Sequence, residues 1–299
     1  MKLYMVNYQN KNLLAIASKE EKFIVPGILE NCPENFKNLD SFLNFEKGDL
    51  KKLKDFISSS KIDEITISKN KILPPILKTP QNIMCMGLNY EDHIKESEKV
   101  FHKDIKRPKH PIIFTKSSFS INSPFGEIPL RKDVSLELDW ESELALVIGK
   151  PGIHIKKEDA YNHVFGYMVL NDISARDIQR NHKQFFLGKS LAGACPIGPC
   201  IVSKDEIKNP HNLNISCKVN NITKQNSNTR YQIFDIPTQI EAISKSTYLA
   251  TGDIIATGTP SGVGFARTPP EFLKDGDIVE CEIESIGKII NKVVEQSYQ

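Results

Sequence analysis

The 299-residue sequence predicts an α+β fold that is mainly β, with a mixed and mostly antiparallel sheet. Two observations predict this class. Short β-branched or apolar runs recur along the second half of the chain, and Gly, Asn, Asp or Pro residues bound them, as is typical of strands. These runs do not alternate regularly with helical segments, which disfavours a doubly wound parallel sheet.

The first elements predict a small N-terminal α+β domain over residues 1–75. Lys2–Val6 and Leu13–Ala17 have the pattern of strands. The segment Asp49–Ser58 places its apolar residues at helical spacing, which predicts a helix.

A proline-rich segment, 73–80, cannot sustain a helix or a central strand, so it is predicted to be an extended connection. It leads into a larger domain, 76–299. Two helices are predicted there, Lys156–Asn162 and a second one that begins at Pro237 and ends at Gly252. The strands of this domain are predicted at Val164–Leu170, Ile215–Val219, Asp253–Thr257, Ile278–Ile283 and Ile289–Val294.

Composition and charge exclude several classes of protein. The 39 Lys and Arg residues nearly balance the 37 Asp and Glu residues, and a net charge of +2 is unlike that of a nucleic-acid binder. No stretch approaches the roughly twenty apolar residues of a membrane span, and the first residues lack the apolar core of a signal peptide. The six cysteines form no CxxC pair, which indicates reduced, mostly buried thiols and a cytoplasmic location.

The most informative stretch is Leu136–Gly149, which is predicted to be one strand. Because side chains alternate between the two faces of a strand, four acids share one face. These are Glu137, Asp139, Glu141 and Glu143. A solvated edge strand with an acidic outer face is one interpretation. The face turns apolar directly after Glu143, which favours a second one: Glu141 and Glu143 form a desolvated pair that a divalent cation compensates.

A third acid, Asp172, follows the apolar run that begins at Val164. An Asp in this position is either a helix N-cap or a further ligand. Three carboxylates with no His or Cys among them suit a hard cation such as Mg²⁺ or Mn²⁺. In an octahedral site they leave about three positions open, enough for a bidentate substrate and a water.

Five motifs occur in an order that resembles the fumarylacetoacetate hydrolase family. They are GLNYEDH from Gly87, WESEL from Trp140, NDISARDIQ from Asn171, GKS from Gly188 and TGTPSGVG from Thr257. The resemblance extends over about residues 75 to 295. It implies a β-roll catalytic domain, usually a homodimer, that binds Mg²⁺ or Mn²⁺ through Glu141, Glu143 and Asp172.

The resemblance also implies roles for residues around that metal site. Lys189 matches the lysine beside the metal, Gln179 matches a glutamine that contacts the substrate, and Thr257 to Thr259 match a substrate-binding turn. Lys116 also falls in a family-like position, with no role assigned. Position 88 is Leu, where some acylpyruvate-cleaving members have Arg, and this weakens the transfer of their substrate specificity.

His93 and Glu96 lie three residues apart, so on a helical turn they face the same way. A carboxylate that binds one imidazole nitrogen fixes the tautomer, and the other nitrogen can then take a proton. A surface His/Glu pair is the alternative interpretation. In related hydrolases and decarboxylases, a His-x-x-Glu pair at this place lies on a lid and acts as the base, so the resemblance implies a catalytic role for both residues.

The sequence thus predicts an enzyme that depends on Mg²⁺ or Mn²⁺ and acts on a small-molecule 2-oxo or 2,4-dioxo acid. The favoured reaction is hydrolytic C–C cleavage of an acylpyruvate-type substrate through a metal-stabilised enolate. The alternative is an oxaloacetate decarboxylase or tautomerase, or a 2-hydroxydienedioate isomerase or hydratase, of the same family. A third hypothesis is a non-enzymatic metal-binding scaffold.

Overall fold

Strands dominate the computed structural model, which describes residues 1–19, 22–44, 49–101 and 106–297. Its nineteen strands in these ranges are β1 (Lys2–Tyr8), β2 (Lys11–Lys19), β3 (Lys22–Ile24), β4 (Ile65–Thr66), β5 (Ile72–Leu73), β6 (Ile83–Gly87), β7 (Ile112–Lys116), β8 (Ile121–Asn122), β9 (Ile128–Leu130), β10 (Leu138–Asp139), β11 (Ser142–Ile148), β12 (Val164–Asn171), β13 (Ser174–Ala175), β14 (Cys195–Ser203), β15 (Asn214–Val219), β16 (Ile222–Asn228), β17 (Ile254–Ala256), β18 (Ile278–Ile283) and β19 (Gly287–Glu295).

Short α-helices lie between these strands. Those in the described ranges are α1 (Leu39–Asn44), α2 (Leu50–Ser59), α3 (Glu91–Phe101), α4 (Ala160–His163), α5 (Arg176–His182), α6 (Phe186–Lys189) and α7 (Ile236–Ser244). Two of them directly follow an N-cap aspartate, whose side chain accepts a hydrogen bond from the backbone N–H three residues later. Asp49 caps α2 in this way, and Asp235 caps α7.

Three sheets organise the described strands. The largest contains twelve strands in the order β4-β3-β2-β1-β14-β12-β11-β17-β6-β7, with β5 beside β1 and β8 beside β14. A second sheet has five strands in the order β16-β15-β18-β19-β9, and β10 pairs with β13 alone. Most neighbours are antiparallel, and β8–β14, β6–β17 and β9–β19 are parallel. The prediction of an α+β, mainly β fold with mixed pairing is therefore confirmed.

The strands of the first 75 residues continue the large sheet. Strand β1 pairs with β14, where Leu3 lies opposite Ile201. One apolar core joins side chains from both parts of the chain, such as Leu14 and Phe42 with Phe165. The division into residues 1–75 and 76–299 stays a prediction.

Most predicted elements of the larger part are present. The strand at Ile278–Ile283 has the predicted bounds, and the other four predicted strands lie within one or two residues of the observed ones. The helix predicted to run from Pro237 to Gly252 ends instead at Ser244, because the chain then turns so that Leu249 pairs with Gly152. The helix predicted at Lys156–Asn162 is a 3-10 turn followed by α4.

The predicted strand Leu136–Gly149 is wrong in one respect, because it is interrupted between Asp139 and Ser142. At the interruption, the Glu141 amide donates to the side chain of Asn171, at 3.1 Å. The Asp172 amide donates to the Glu141 carbonyl oxygen, at 2.8 Å. The first half of the stretch pairs with β13 and the second half with β12, so the break lies at the three predicted ligands.

The six cysteines are free and buried, as their spacing predicts. Within the described ranges, no helix combines the length and the apolar character that crossing a membrane requires.

Candidate active site

Three acidic side chains meet where β11 lies beside β12. Ser142 pairs with Asn171 in this antiparallel register, so Glu141 and Glu143 flank Ser142 while Asp172 follows its partner. Glu141 and Glu143 lie on one face because they are two residues apart in an extended chain. One carboxylate oxygen from each of the three acids lies within 4.8 Å of the others. All three side chains are buried, with 5%, 1% and 0% exposure.

Two buried lysines compensate part of this negative charge. The Lys189 ammonium group donates to Glu141 Oε2 at 2.8 Å and to Asp172 Oδ2 at 2.7 Å. Lys116 Nζ lies 2.7 Å from Asp172 Oδ1 and donates to the carbonyl oxygen of Ile173 at 3.0 Å. Arg176 also pairs with Glu141 and is shared with Asp139, so four carboxylates face three cations and one formal negative charge remains.

Whether the pKa of each group is raised or lowered shows where this negative charge is poorly compensated. Burial raises the pKa of Glu141, but the cations of Lys189 and Arg176 outweigh burial and lower it. Burial, together with repulsion from Asp172 and Glu141, raises the pKa of Glu143 well above its usual range. Burial lowers the pKa of Lys189, but Asp172 and Glu141 outweigh burial and raise it. The cluster lacks positive charge on the Glu143 side.

The residues present fit a divalent cation. Their donors are all carboxylate oxygens, which is the ligand set of Mg²⁺ and Mn²⁺. Asp172 Oδ1 is buried and accepts no hydrogen bond, since its contact with Lys116 lacks hydrogen-bond geometry. Among the described residues, this is the one group of three acidic, His or Cys side chains with metal-binding spacing.

Arg176, at the start of α5, links the acids to the neighbouring loop. Its Nη2 donates to Glu141 Oε1 at 2.6 Å, and its Nε donates to Asp139 Oδ2 at 2.9 Å. Asp139 also accepts the backbone N–H groups of Gly264 and Phe265, at 2.6 and 3.0 Å. The remaining Arg176 nitrogen donates to the side-chain oxygen of Gln179 at 3.0 Å, which orients the amide group.

His93 and Glu96 lie on α3 and make the predicted pair. His93 Nδ1 lies 3.2 Å from Glu96 Oε2, and the histidine is buried. Glu96 Oε1 accepts the backbone N–H of Gly262 at 2.8 Å, so this carboxylate is held from two sides. Nδ1 is thus engaged by Glu96, which leaves Nε2 as the nitrogen for proton transfer.

The predicted turn at Thr257 to Thr259 contacts the cluster through its backbone. Gly258 has φ of +95° and donates its N–H to Glu143 Oε2 at 2.7 Å. The Thr257 hydroxyl donates to the Leu144 carbonyl oxygen and accepts from Gln232. The Thr259 hydroxyl donates to the Ser142 carbonyl oxygen and accepts from Gln225. Both hydroxyl groups hold the turn against β11.

A cavity of about 690 Å³ opens beside these groups. Of the predicted site residues, those that line it are His93, Glu141, Gln179, Lys189 and Thr259. Glu96, Glu143, Asp172 and Thr257 are not in the lining; Glu96 contacts His93, and Glu143 and Asp172 lie beside Glu141. The wall is largely apolar and is formed by Met86, Leu88, Ile112, Phe114, Phe185, Phe265 and Phe272. Arg180 and Lys183 add positive charge.

Three residues of the site were not assigned by sequence reasoning. Arg176 lies in a recognised motif, and Lys116 was noted without a role. Asp139 belongs to the acidic face of the predicted strand, but its carboxylate pairs with Arg176 and is not part of the three-acid cluster. The sequence alone does not reveal which acid a basic residue of a motif pairs with, because these ion pairs join residues far apart in the chain.

This arrangement can bind and polarise an oxygen-rich anion. Lys189 has three N–H donors and uses two of them on Glu141 and Asp172, so one remains for a ligand. Arg176 and Gln179 offer further donors at the same wall of the cavity. A buried histidine that can exchange a proton lies across from them. The geometry suits the stabilisation of an enolate beside a largely apolar wall.

Known proteins are similar to this chain along most of its length. The family model "Fumarylacetoacetate (FAA) hydrolase C-terminal" matches residues 82–294. Oxaloacetate tautomerase YisK of Bacillus subtilis (strain 168) is 47% identical over 228 residues, which cover 76% of this chain and 74% of the relative. The human mitochondrial oxaloacetate tautomerase FAHD2A is 48% identical over 229 residues, with 76% and 70% covered.

The three-dimensional structure has a similar neighbour among solved proteins. Fumarylacetoacetate hydrolase from psychrophilic Exiguobacterium antarcticum superposes with a TM-score of 0.81 and 32% sequence identity. The match covers 99% of this chain and 100% of that one. It therefore includes the first 75 residues as well as the part that the family model matches.

Proposed function

The chain belongs to the fumarylacetoacetate hydrolase family and is an enzyme, and we propose that it catalyses the enol–keto tautomerisation of oxaloacetate. The observation that carries this proposal is the buried cluster of three carboxylates with Lys189 and Arg176 beside it. The relatives named as oxaloacetate tautomerases support it further. The predicted alternative thus has more support than the favoured C–C hydrolysis.

Glu141, Glu143 and Asp172 would hold a Mg²⁺ or Mn²⁺ ion, which supplies Lewis-acid stabilisation of negative charge on the substrate's 2-oxo oxygen. Arg176 and the free N–H of Lys189 bind the substrate's carboxylate and oxo oxygens. Phe114 and Phe265 form part of the apolar wall beside the reacting atoms.

The reaction itself moves one proton. His93 Nε2 takes the proton from the 2-hydroxyl group of the enol, and the protonated imidazole then delivers it to C3 to give the ketone. Glu96 stabilises the charged imidazole through its contact with Nδ1. Enol and keto forms have the same composition, so no other reactant is needed.

The test is to follow the ultraviolet absorbance of enol oxaloacetate in a non-catalytic buffer. We expect the enzyme to accelerate its loss with Mg²⁺ or Mn²⁺ present, and EDTA to abolish this. The same preparation is assayed for pyruvate released from oxaloacetate, which reports decarboxylation. A rate equal to that of buffer alone would overturn the proposal.

A second candidate is hydrolytic cleavage of an acylpyruvate. It is favoured by the size of the cavity, about 690 Å³, which suits a ligand much larger than a four-carbon acid. It is also favoured by the His93–Glu96 pair, which can activate a water. Pyruvate release from an acylpyruvate, faster than tautomerisation of oxaloacetate, would select this reaction.

The proposed enzyme is a homodimer in the cytoplasm. Ile112 and Ile113 are exposed on β7, which is an edge strand, and the exposed residues Phe185 to Leu187 lie at the neighbouring α6. A second copy of the chain would cover this apolar patch. Sedimentation measurements test the dimer, and a monomer at micromolar concentration would contradict it.

A further inference from the structure

A second cavity of about 700 Å³ lies apart from the substrate cavity, and no described residue lines both. Three segments form it: 109–111 before β7, 154–157 before α4, and the helix α7 with Phe234. The second and third of these segments are hydrogen-bonded to each other. The amide of His154 donates to the Ser244 carbonyl oxygen at 2.7 Å, and that of Ile155 donates to Ser244 Oγ at 3.0 Å. These two walls of the groove are therefore fixed relative to each other.

The lining of this groove is strongly basic. Its cationic and titratable basic side chains are Lys109, His110, His154, Lys156, Lys157 and Lys245. Glu241 is the one acidic residue among them, and its Oε1 accepts the Lys157 amide at 3.4 Å. No ion pair joins any of the four lysines to a carboxylate in the described part of the chain. Several other surface lysines do have one, such as Lys218 and Lys288 on Glu280.

The floor of the groove is apolar. Ile155 is buried, and Phe234 and Pro111 are half-buried. Four like charges around a concave surface raise the local positive potential, and an anion of matching size relieves it.

We propose that this groove binds a small multivalent anion of the phosphate class, at a site separate from the substrate cavity. The lysine ammonium group binds phosphate as a point charge. A chain of phosphate groups carries enough negative charge to contact several of these lysines at once, which a single carboxylate cannot do. Inorganic polyphosphates and nucleotides share the proposed chemistry.

Calorimetric titration of the full-length protein with inorganic pyrophosphate tests this site. Divalent metal is omitted, so that chelation does not remove the probe. The groove variant is K156Q/K245Q. The matched control is K69Q/K71Q, because Lys69 and Lys71 are also exposed and lie outside both cavities. Circular dichroism verifies that both variants are folded.

We expect pyrophosphate to bind the wild type and the control alike, with affinity that falls as NaCl is added. The groove variant should bind about a hundredfold more weakly, since each charged hydrogen bond contributes about tenfold. Equal affinity of the groove variant and the wild type would overturn the proposal, because the probe would then occupy another site. Absence of binding at millimolar pyrophosphate would also overturn it.

Two further titrations separate the sources of the phosphate groups. Tighter binding of ATP than of tripolyphosphate would identify a nucleotide whose base lies on the apolar floor. Equal binding of the two would identify the phosphate chain alone, and either result supports the phosphate class. Tighter binding of citrate than of ATP and tripolyphosphate would contradict the assignment to the phosphate class.

Discussion

Replacement of Asp139 by Asn tests the buried network that positions Arg176. Asp139 is fully buried and accepts four N–H groups, from Arg176, Trp140, Gly264 and Phe265. An asparagine turns an NH₂ group toward these donors and leaves the guanidinium without this anion. Breaking a buried ion pair in this way costs about 3–5 kcal/mol of unfolding free energy. For a chain of this size we expect Tm to fall by about 6–10 °C.

The assay is thermal and urea unfolding of D139N beside the variant D133N. Asp133 also pairs with an arginine, Arg131, at 2.8 Å from Nε, but its side chain is 61% exposed. We expect no measurable change for D133N, because solvent replaces an exposed partner. Equal stability of D139N and the wild type would refute the reasoning, since Asp139 would then be dispensable to the network.

Three further predictions concern other parts of the molecule. H93N should lower the tautomerase kcat by about 10²–10⁴-fold in steady-state assays, because asparagine has no ring nitrogen that can take and return the proton. An unchanged kcat would contradict the catalytic role of His93. G258A should destabilise the protein more than G276A. Both glycines have positive φ, but a Cβ at Gly258 would lie 2.8 Å from Asn89 whereas one at Gly276 meets nothing; equal losses in urea unfolding would refute this. Burial raises the pKa of Cys195 to about 12, so this thiol should resist thiol reagents at pH 8 until the protein unfolds. Labelling of Cys195 itself in the native protein, located by peptide mass spectrometry, would contradict this.

Local pattern was enough to predict much of the fold. A short β-branched and apolar run bounded by turn residues predicted the strand Ile278–Ile283, and Pro237 predicted the start of α7. The end of α7 was not predictable in the same way. The chain leaves the helix after Ser244 because Leu249 pairs with Gly152, a partner about a hundred residues away.

The carboxylate cluster was predicted more fully than its surroundings. Alternation along one strand placed Glu141 and Glu143 on one face, and the apolar run before Asp172 placed the third acid at a strand end. The break between Asp139 and Ser142 was missed, since it depends on the side chain of Asn171. Of the cations beside the acids, Lys189 was predicted from the resemblance. Arg176 and Lys116 were given no role, because sheet register determines which acids they meet.

The most direct test of the account is a Mn²⁺ titration followed by electron paramagnetic resonance, in which the free ion gives the signal. The wild type should remove a single Mn²⁺ per chain from solution. E143Q should remove none at the same concentration, because the neutral amide takes away one of three anionic ligands. A wild type that leaves all Mn²⁺ free, or a variant that binds it equally well, would contradict the assignment of Glu141, Glu143 and Asp172 as the metal site.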